Sequence, residues 1–176
     1  MSHSSERSSF EAIECSSRPI TITHANPSWW CSARRNKSHE LIKALTDAGG
    51  MIGFSLYPHH LKEGSGCSLA DFSEMIAIAA ERYGVHALGI GSDLCQDQPD
   101  SVVEWMRNGR WSIERDFGEG SAAQAGFPPQ PNWFEGIRDF PNIAVGLTEA
   151  GFSADEIADI MGLNWLRFYE QNFIAS

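Results

Sequence analysis

The run Met51-Ile-Gly-Phe-Ser-Leu-Tyr57 is apolar along almost its whole length. A strand with one wet face alternates apolar and polar side chains. A near-continuous apolar run instead suits a strand buried on both faces, as in a parallel sheet. Two more runs of strand character flank it. Ile20-Thr-Ile-Thr23 is β-branched throughout, and Ala87-Leu-Gly-Ile-Gly-Ser92 is short and mostly apolar. Helical patterns lie between them. Ser38 to Ala48 places Leu41, Ile42 and Leu45 on one face and stops at Gly49-Gly50. A second helix, capped by Ser68 with Asp71 completing a short-armed capping box, runs to Tyr83 and stops at Gly84. Upstream, residues 4–16 read as a short helix with Phe10 and Ile13 inward, closed by Arg18-Pro19.

This alternation of strands and helices predicts right-handed crossovers and a parallel α/β sheet. The pattern makes Met1-Ser2 the stub of a further strand, for about four parallel strands in all. Residues 94–132 contain Pro99, Pro128, Pro129 and Pro131 and read as a long irregular connection, with one short helix near Val102–Met106. Helices return at 140–150, 153–161 and 163–172, and Ser153 with Glu156 forms a capping box for the middle one. The whole of 1–176 reads as a single domain.

Composition narrows the class. Apolar residues are 42% of the 176, enough to bury a core, and no run of 18 apolar residues exists to cross a membrane. The polar N-terminus lacks the pattern of a secretory signal, so a cytoplasmic location is expected. With 23 acidic and 13 basic residues the net charge is −10, which repels nucleic acid as a partner. Cys15, Cys31, Cys67 and Cys95 form no Cys-x-x-Cys pair, against a tetrathiolate zinc site and against a dense disulfide framework.

The chemistry gathers at strand ends. His3 follows the stub, His24 ends Ile20–Thr23, and Asp93 ends Ala87–Ser92. Ligand sites of parallel α/β folds form at the carboxyl ends of strands. Two imidazoles and a carboxylate meeting there suit a metal-activated water. Arg34 and Arg35, in the loop after His24, offer a guanidinium fork for a substrate carboxylate. Blander readings stand beside these: strand-end histidines as loop hydrogen-bonders, Asp93 as a turn cap, Arg34-Arg35 as solvated surface, Asn36 as a helix cap. His59-His60 also follow a strand. The tryptophans at 29, 30, 105, 111, 133 and 165 read as packing.

Several ordered motifs resemble the renal (membrane) dipeptidase family. They are Ser2-His3, Pro19-Ile-Thr-Ile-Thr-His24-Ala-Asn-Pro27, Arg34-Arg35-Asn36, Leu88-Gly-Ile-Gly-Ser-Asp93, and the tail from Phe140-Pro-Asn-Ile to Gly162-Leu-Asn164-Trp-Leu-Arg-Phe168. The match is colinear over nearly the whole chain. The 21-residue separation of His3 and His24, and the 11-residue separation of His24 and Arg35, both fit the family. The resemblance implies the C-terminal part of a TIM barrel and a zinc-dependent dipeptidase, a metallopeptidase with a binuclear zinc site and dipeptides as substrates. It implies His3 and His24 as ligands to one zinc, Arg35 on the substrate carboxylate, and Asp93 as general acid/base. His60 falls where the family often has a substrate-lining tyrosine.

Departures from the family are equally informative. The His-x-Asp pair, the bridging glutamate and a further histidine that helps polarise the scissile carbonyl are absent. A TIM barrel also typically needs about 250 residues. The expectation is therefore an incomplete barrel, in a truncated form of the enzyme. Alone it should bind zinc weakly, show little peptidase activity, expose unpaired strand edges and apolar inner faces, and associate. A homodimer or a complementing N-terminal half are the expected partners. Alternatives are an inactive half-barrel relic or assembly module, and a related metal-dependent amidohydrolase acting on another amide or a lactone.

Overall fold

The computed structural model describes residues 1–99, 101–103, 105, 123 and 126–173. Its strands β1 (Thr21–Ile22), β2 (Met51–Phe54) and β3 (Leu88–Ile90) form one parallel sheet in that order. Helix α1 (Glu6–Cys15) precedes β1, α2 (His39–Asp47) links β1 to β2, and α3 (Leu69–Tyr83) links β2 to β3. The register sets Ile22 beside Ile52 and Ile52 beside Leu88. Side chains alternate along a strand, so these residues and Phe54 share one face. That face is fully buried, in one core with Leu41, Ile42 and Leu45 of α2 and Phe72, Met75, Ile76 and Ala79 of α3. The α3 residues follow the spacing of a helical stripe facing a sheet.

Caps set the helix limits. Ser38 Oγ and Ser68 Oγ accept from the backbone N–H of Leu41 and Asp71 at 3.1 and 3.0 Å. Ser38 therefore caps α2, and Asn36 has another role. Helix α3 stops at Gly84, whose φ of 82° lies in the left-handed region that glycine enters without a Cβ clash. The C-terminal helices are α4 (Phe140–Glu149), α5 (Ala154–Ala158) and α6 (Asn164–Phe173). Ile143 and Leu147 of α4 join the core, and Ser153 with Glu156 forms the expected reciprocal capping box for α5. A π-helical turn over Asp159–Leu163 joins α5 to α6.

The opposite face of the sheet is lined by glycine. A methyl at Gly89 would lie 2.3 Å from Trp165 Nε1, and one at Gly53 would lie 2.2 Å from the Thr23 carbonyl oxygen. The Trp165 indole and the curled end of β1 fill the space those methyls would need. Helix α6 also satisfies β3 at the sheet edge. Asn164 Nδ2 donates to the carbonyls of Val85 and Leu88 at 2.8 Å, and Trp165 Nε1 donates to that of Ile90 at 3.2 Å.

Several expectations change here. Three parallel strands are described, where about four were expected. The Met1-Ser2 stub makes a single backbone bond to β1, from the Met1 ammonium to Thr21 O at 2.7 Å, too little for a ladder. The β3 edge is capped by side chains, and glycine with an overlying indole replaces an open apolar inner face there. Trp105 is 71% exposed, so it does not pack as expected, whereas Trp29, Trp30 and Trp133 pack against the core. Of the long connection over 94–132, residues 106–122 lie outside the described residues, and with them Trp111 and Met106; residues 101–103 and 105 are helical. No helix among the described residues is long and apolar enough to cross a membrane. All four cysteines are free thiols, and burial pushes that of Cys67 up to about 12.

Asn164→Ala is expected to destabilise the fold by about 2 kcal/mol, because two carbonyls lose their donor in a buried setting. Equilibrium urea unfolding of the variant against the parent measures it.

Candidate metal and substrate site

The N-terminal segment is tied across the end of β1 by polar contacts, two of them partly buried. Lys37, 5% exposed, donates from Nζ to the Ser4 carbonyl at 2.9 Å. Burial and the nearby Arg35 lower its pKa. Glu6 accepts from the Ser38 hydroxyl, which links α1 to the start of α2. Together with the Met1 bond to Thr21, these contacts place His3 over His24.

The two Nε2 atoms of His3 and His24 lie 2.9 Å apart, with the rings edge-on at 70°. Asp93 Oδ1 is 4.0 Å from His24 Nε2. Asp93 has a φ of 54°, a left-handed conformation that aspartate tolerates better than most residues. Arg35 Nη2 reaches His3 Nε2 at 3.1 Å and also contacts its Nδ1. The structure thus brings His3, His24, Arg35 and Asp93 to one place, contributed by the N-terminal segment, the end of β1, the following loop and the end of β3.

The electrostatics keep both imidazoles neutral. Burial is the largest cause lowering each pKa. Arg35 lowers both further, and Asp93 opposes the shift in both. A neutral imidazole is the form that binds a metal.

Behind this cluster lies a fully bonded polar network. Ser2 Oγ accepts the His24 backbone N–H at 3.0 Å and lies 3.1 Å from Thr23 Oγ1, which lies 3.0 Å from His24 Nδ1. The buried Asn26 side chain donates to the carbonyls of Ser55 and His60 at 3.0 and 3.1 Å and accepts from the Ser55 N–H at 3.0 Å. Asn36 Oδ1 accepts the Asn26 N–H at 3.0 Å, while its amide donates to the carbonyls of Cys31 and His60 at 2.8 and 3.0 Å. This clamp fixes the residue next to Arg35, and Arg34 points to solvent. His60, 2% exposed, bonds Ser55 Oγ through Nδ1 at 2.9 Å, and its ring meets that of Tyr57 at 5.2 Å. Farther out, Tyr83 OH accepts from Trp29 Nε1 at 3.1 Å and bonds His39 Nδ1 at 2.9 Å, which anchors the same loop on α3.

The donor set can be weighed against zinc. Two neutral imidazoles whose Nε2 atoms converge suit two positions of a zinc shell. Among the described residues no group of three or more His, Cys, Asp or Glu could hold a metal ion. The described residues bring two imidazole nitrogens together without closing a metal site. Ser2, Thr23 and Asn26 stand inside the motifs quoted above but were given no role there; the available signal was a hydroxyl residue directly before each strand-end histidine.

Comparison with known proteins follows from this geometry. A family model for membrane dipeptidase (peptidase family M19) matches residues 1–107. The dipeptidase aclJ of Aspergillus oryzae is 22% identical over 169 residues, 95% of this chain and 33% of that protein. The dipeptidase ataJ of Aspergillus terreus is 24% identical over 173 residues, 97% of this chain and 35% of that protein. An amidohydrolase structure from Pseudomonas aeruginosa superposes with a TM-score of 0.86 at 28% identity, covering 97% of this chain and 50% of that one. A metallo peptidase from Rhodobacter sphaeroides, bound to a phosphinate mimic of L-Ala-D-Ala, superposes with a TM-score of 0.74 at 15% identity, over 98% and 41% of the two chains. The chain spans about a third of the length of these fungal relatives and half or less of the solved chains. With more than half of its residues matched by the family model, the chain belongs to the membrane dipeptidase family, peptidase family M19.

Proposed function

We propose that this chain is the C-terminal half of a metallo-dipeptidase barrel and carries two metal ligands together with the substrate grip. The observation that carries the proposal is the 2.9 Å convergence of His3 and His24 beside Arg35 and Asp93. His3 and His24 would hold one zinc through Nε2. The chemistry zinc supplies when bound is activation of water and polarisation of the scissile carbonyl. The Asp93 carboxylate takes the proton of the attacking water and returns it to the leaving amine. Arg35 holds the free carboxylate of the substrate by a two-point grip, which restricts substrates to short peptides. His60, 2% exposed and bonded to Ser55, would support the substrate wall from behind. Binuclear chemistry needs ligands beyond the two imidazoles found among the described residues, and a complementing half or a second copy would supply them.

The presence of only two converging imidazoles among the described residues also favours a second reading: a catalytically inactive half-barrel relic or assembly module. The likeness to a structure described as an amidohydrolase supports a third, in which the substrate is another amide or a lactone.

Metal content separates these readings. Purified 1–176, dialysed and analysed for zinc, is expected to hold less than one equivalent and to lose it in both His3→Ala and His24→Ala. Full retention in either variant would refute the ligand assignment. Dipeptide hydrolysis should be at background for 1–176 alone and should rise when the N-terminal half of a homologous dipeptidase is added; no rise supports the module or another substrate.

In such a complemented enzyme, Arg35→Ala is expected to raise KM for a dipeptide roughly tenfold to hundredfold, the cost of a lost charge-assisted hydrogen bond. A C-terminally amidated dipeptide should show no such change, since it lacks the carboxylate.

The neutral imidazoles also set a pH dependence. Unfolded histidines take up protons near about pH 6.5. His3 and His24 resist protonation in the fold. Just below that pH the unfolded chain binds more protons, so stability rises with pH there and falls as the pH drops. Urea unfolding at a series of pH values should show a shallower slope in this window for His24→Gln than for the parent.

A further inference from the structure

The outer edge of β3 is closed by side chains that stand where a strand would. Along a parallel strand, successive residues turn their backbone groups alternately to the two neighbours. The Gly91 N–H donates to the Phe54 carbonyl at 3.0 Å, so Gly89 and Gly91 serve β2. Leu88 and Ile90 therefore point the other way. A neighbouring strand would meet their carbonyls with its own N–H groups. Here Asn164 Nδ2 meets the Leu88 carbonyl at 2.8 Å, and Trp165 Nε1 meets that of Ile90 at 3.2 Å.

The glycine between those two residues makes room for the indole. A methyl at Gly89 would come within 2.9 Å of Trp165 Cδ1 and Cε2, and one at Gly53 would lie 3.0 Å from its Cζ2. The ring thus covers two strands while its N–H holds the edge of one. Tyr169, one turn along α6, stacks on the same indole with centroids 6.0 Å apart and planes at 23°.

The opposite edge of the sheet is held differently. Beside β1, the Met1 nitrogen makes one backbone bond, to the Thr21 carbonyl. All three strands are parallel. A two-fold axis along the axis of a barrel would set β3 of one copy beside β1 of a second, and β1 of the first beside β3 of the second. Such a ring has no open edge. Its closure needs the two carbonyls that Asn164 and Trp165 occupy.

We propose that Trp165 is an autoinhibitory plug, which holds the β3 edge in the place of a strand and so keeps two copies of this chain from closing into one parallel barrel. Release of the indole is the step that admits β1 of the second copy. This inference rests on the reading of the chain as half of a barrel, and not on its metal chemistry.

The test uses purified 1–176 as parent with two variants, each checked for an unchanged circular dichroism spectrum. Trp165→Phe removes the indole N–H. Gly89→Ala keeps the tryptophan and puts a methyl where its ring lies. Proton–nitrogen NMR follows hydrogen exchange at the indole N–H. In the parent, the Trp165 signal is expected to exchange more slowly than that of the exposed Trp105. Gly89→Ala should bring the two rates together. Sedimentation at a series of concentrations reads assembly, in buffer of high ionic strength because each copy carries a net charge of −10. Both variants are expected to dimerise roughly tenfold more tightly than the parent, the scale of one lost hydrogen bond with its ring packing. A parent whose Trp165 indole exchanges as fast as that of Trp105 overturns the plug, as do variants that dimerise no more tightly than the parent. A parent already dimeric with its Trp165 indole protected overturns the inhibition, and growth of the variants past the dimer overturns the closed two-fold ring. Zinc retained by His3→Ala or His24→Ala refutes the ligand assignment above and leaves each of these outcomes unchanged.

Discussion

The candidate site depends on a primary amide that never sees water. Asn26 is fully buried, and all its polar atoms are used: the side chain bonds Ser55 twice and the His60 carbonyl once. An amide placed there without partners would cost several kcal/mol. With partners, it ties the segment leaving β1 to the segment leaving β2. Asn36 extends the tie to Cys31 and to the same His60 carbonyl, so the loop bearing Arg35 has one low-energy path. His24 and Arg35 face each other because a buried polar network fixes the backbone between them.

The fold was legible where local chemistry is strong. The apolar run from Met51, the β-branched run from Ile20 and the serine caps at 38, 68 and 153 all specify their elements with nearest-neighbour interactions, and the helices fall within a few residues of the pattern. The missing fourth strand shows the limit. Whether Met1-Ser2 pairs with β1 depends on how many backbone groups reach it, and periodicity says nothing of that. Trp105 shows another limit, since an aromatic residue carries no sign of whether a partner will cover it. Asn36 was ambiguous for a related reason: the residue types that cap helices also bridge buried loops, and sequence does not distinguish a nearby N–H from a distant carbonyl.

The site was legible in its reactive members and not in its supports. His3, His24, Arg35 and Asp93 stand at strand ends or in the loop after one, and the geometry gathers them. Ser2, Thr23 and Asn26 act through contacts between distant segments, and hydroxyl and amide residues are too common to be singled out by type. The same contrast explains His60. Its place after a strand suggested a ligand-facing group, while its burial comes from Ser55 and the two asparagines that converge on its carbonyl.

The two outer strands of the sheet differ in how much hydrogen-bonding capacity they leave for an incoming chain. At β3 the carbonyls of Leu88 and Ile90 are already taken by donors from Asn164 and Trp165, anchored on a helix of ten residues. A strand added there must first displace two side chains that no loop movement releases. Beside β1 the described cover is one backbone bond, from the Met1 nitrogen to the Thr21 carbonyl. The two edges are therefore unequal as templates: an added strand would find more of its carbonyl partners occupied beside β3 than beside β1.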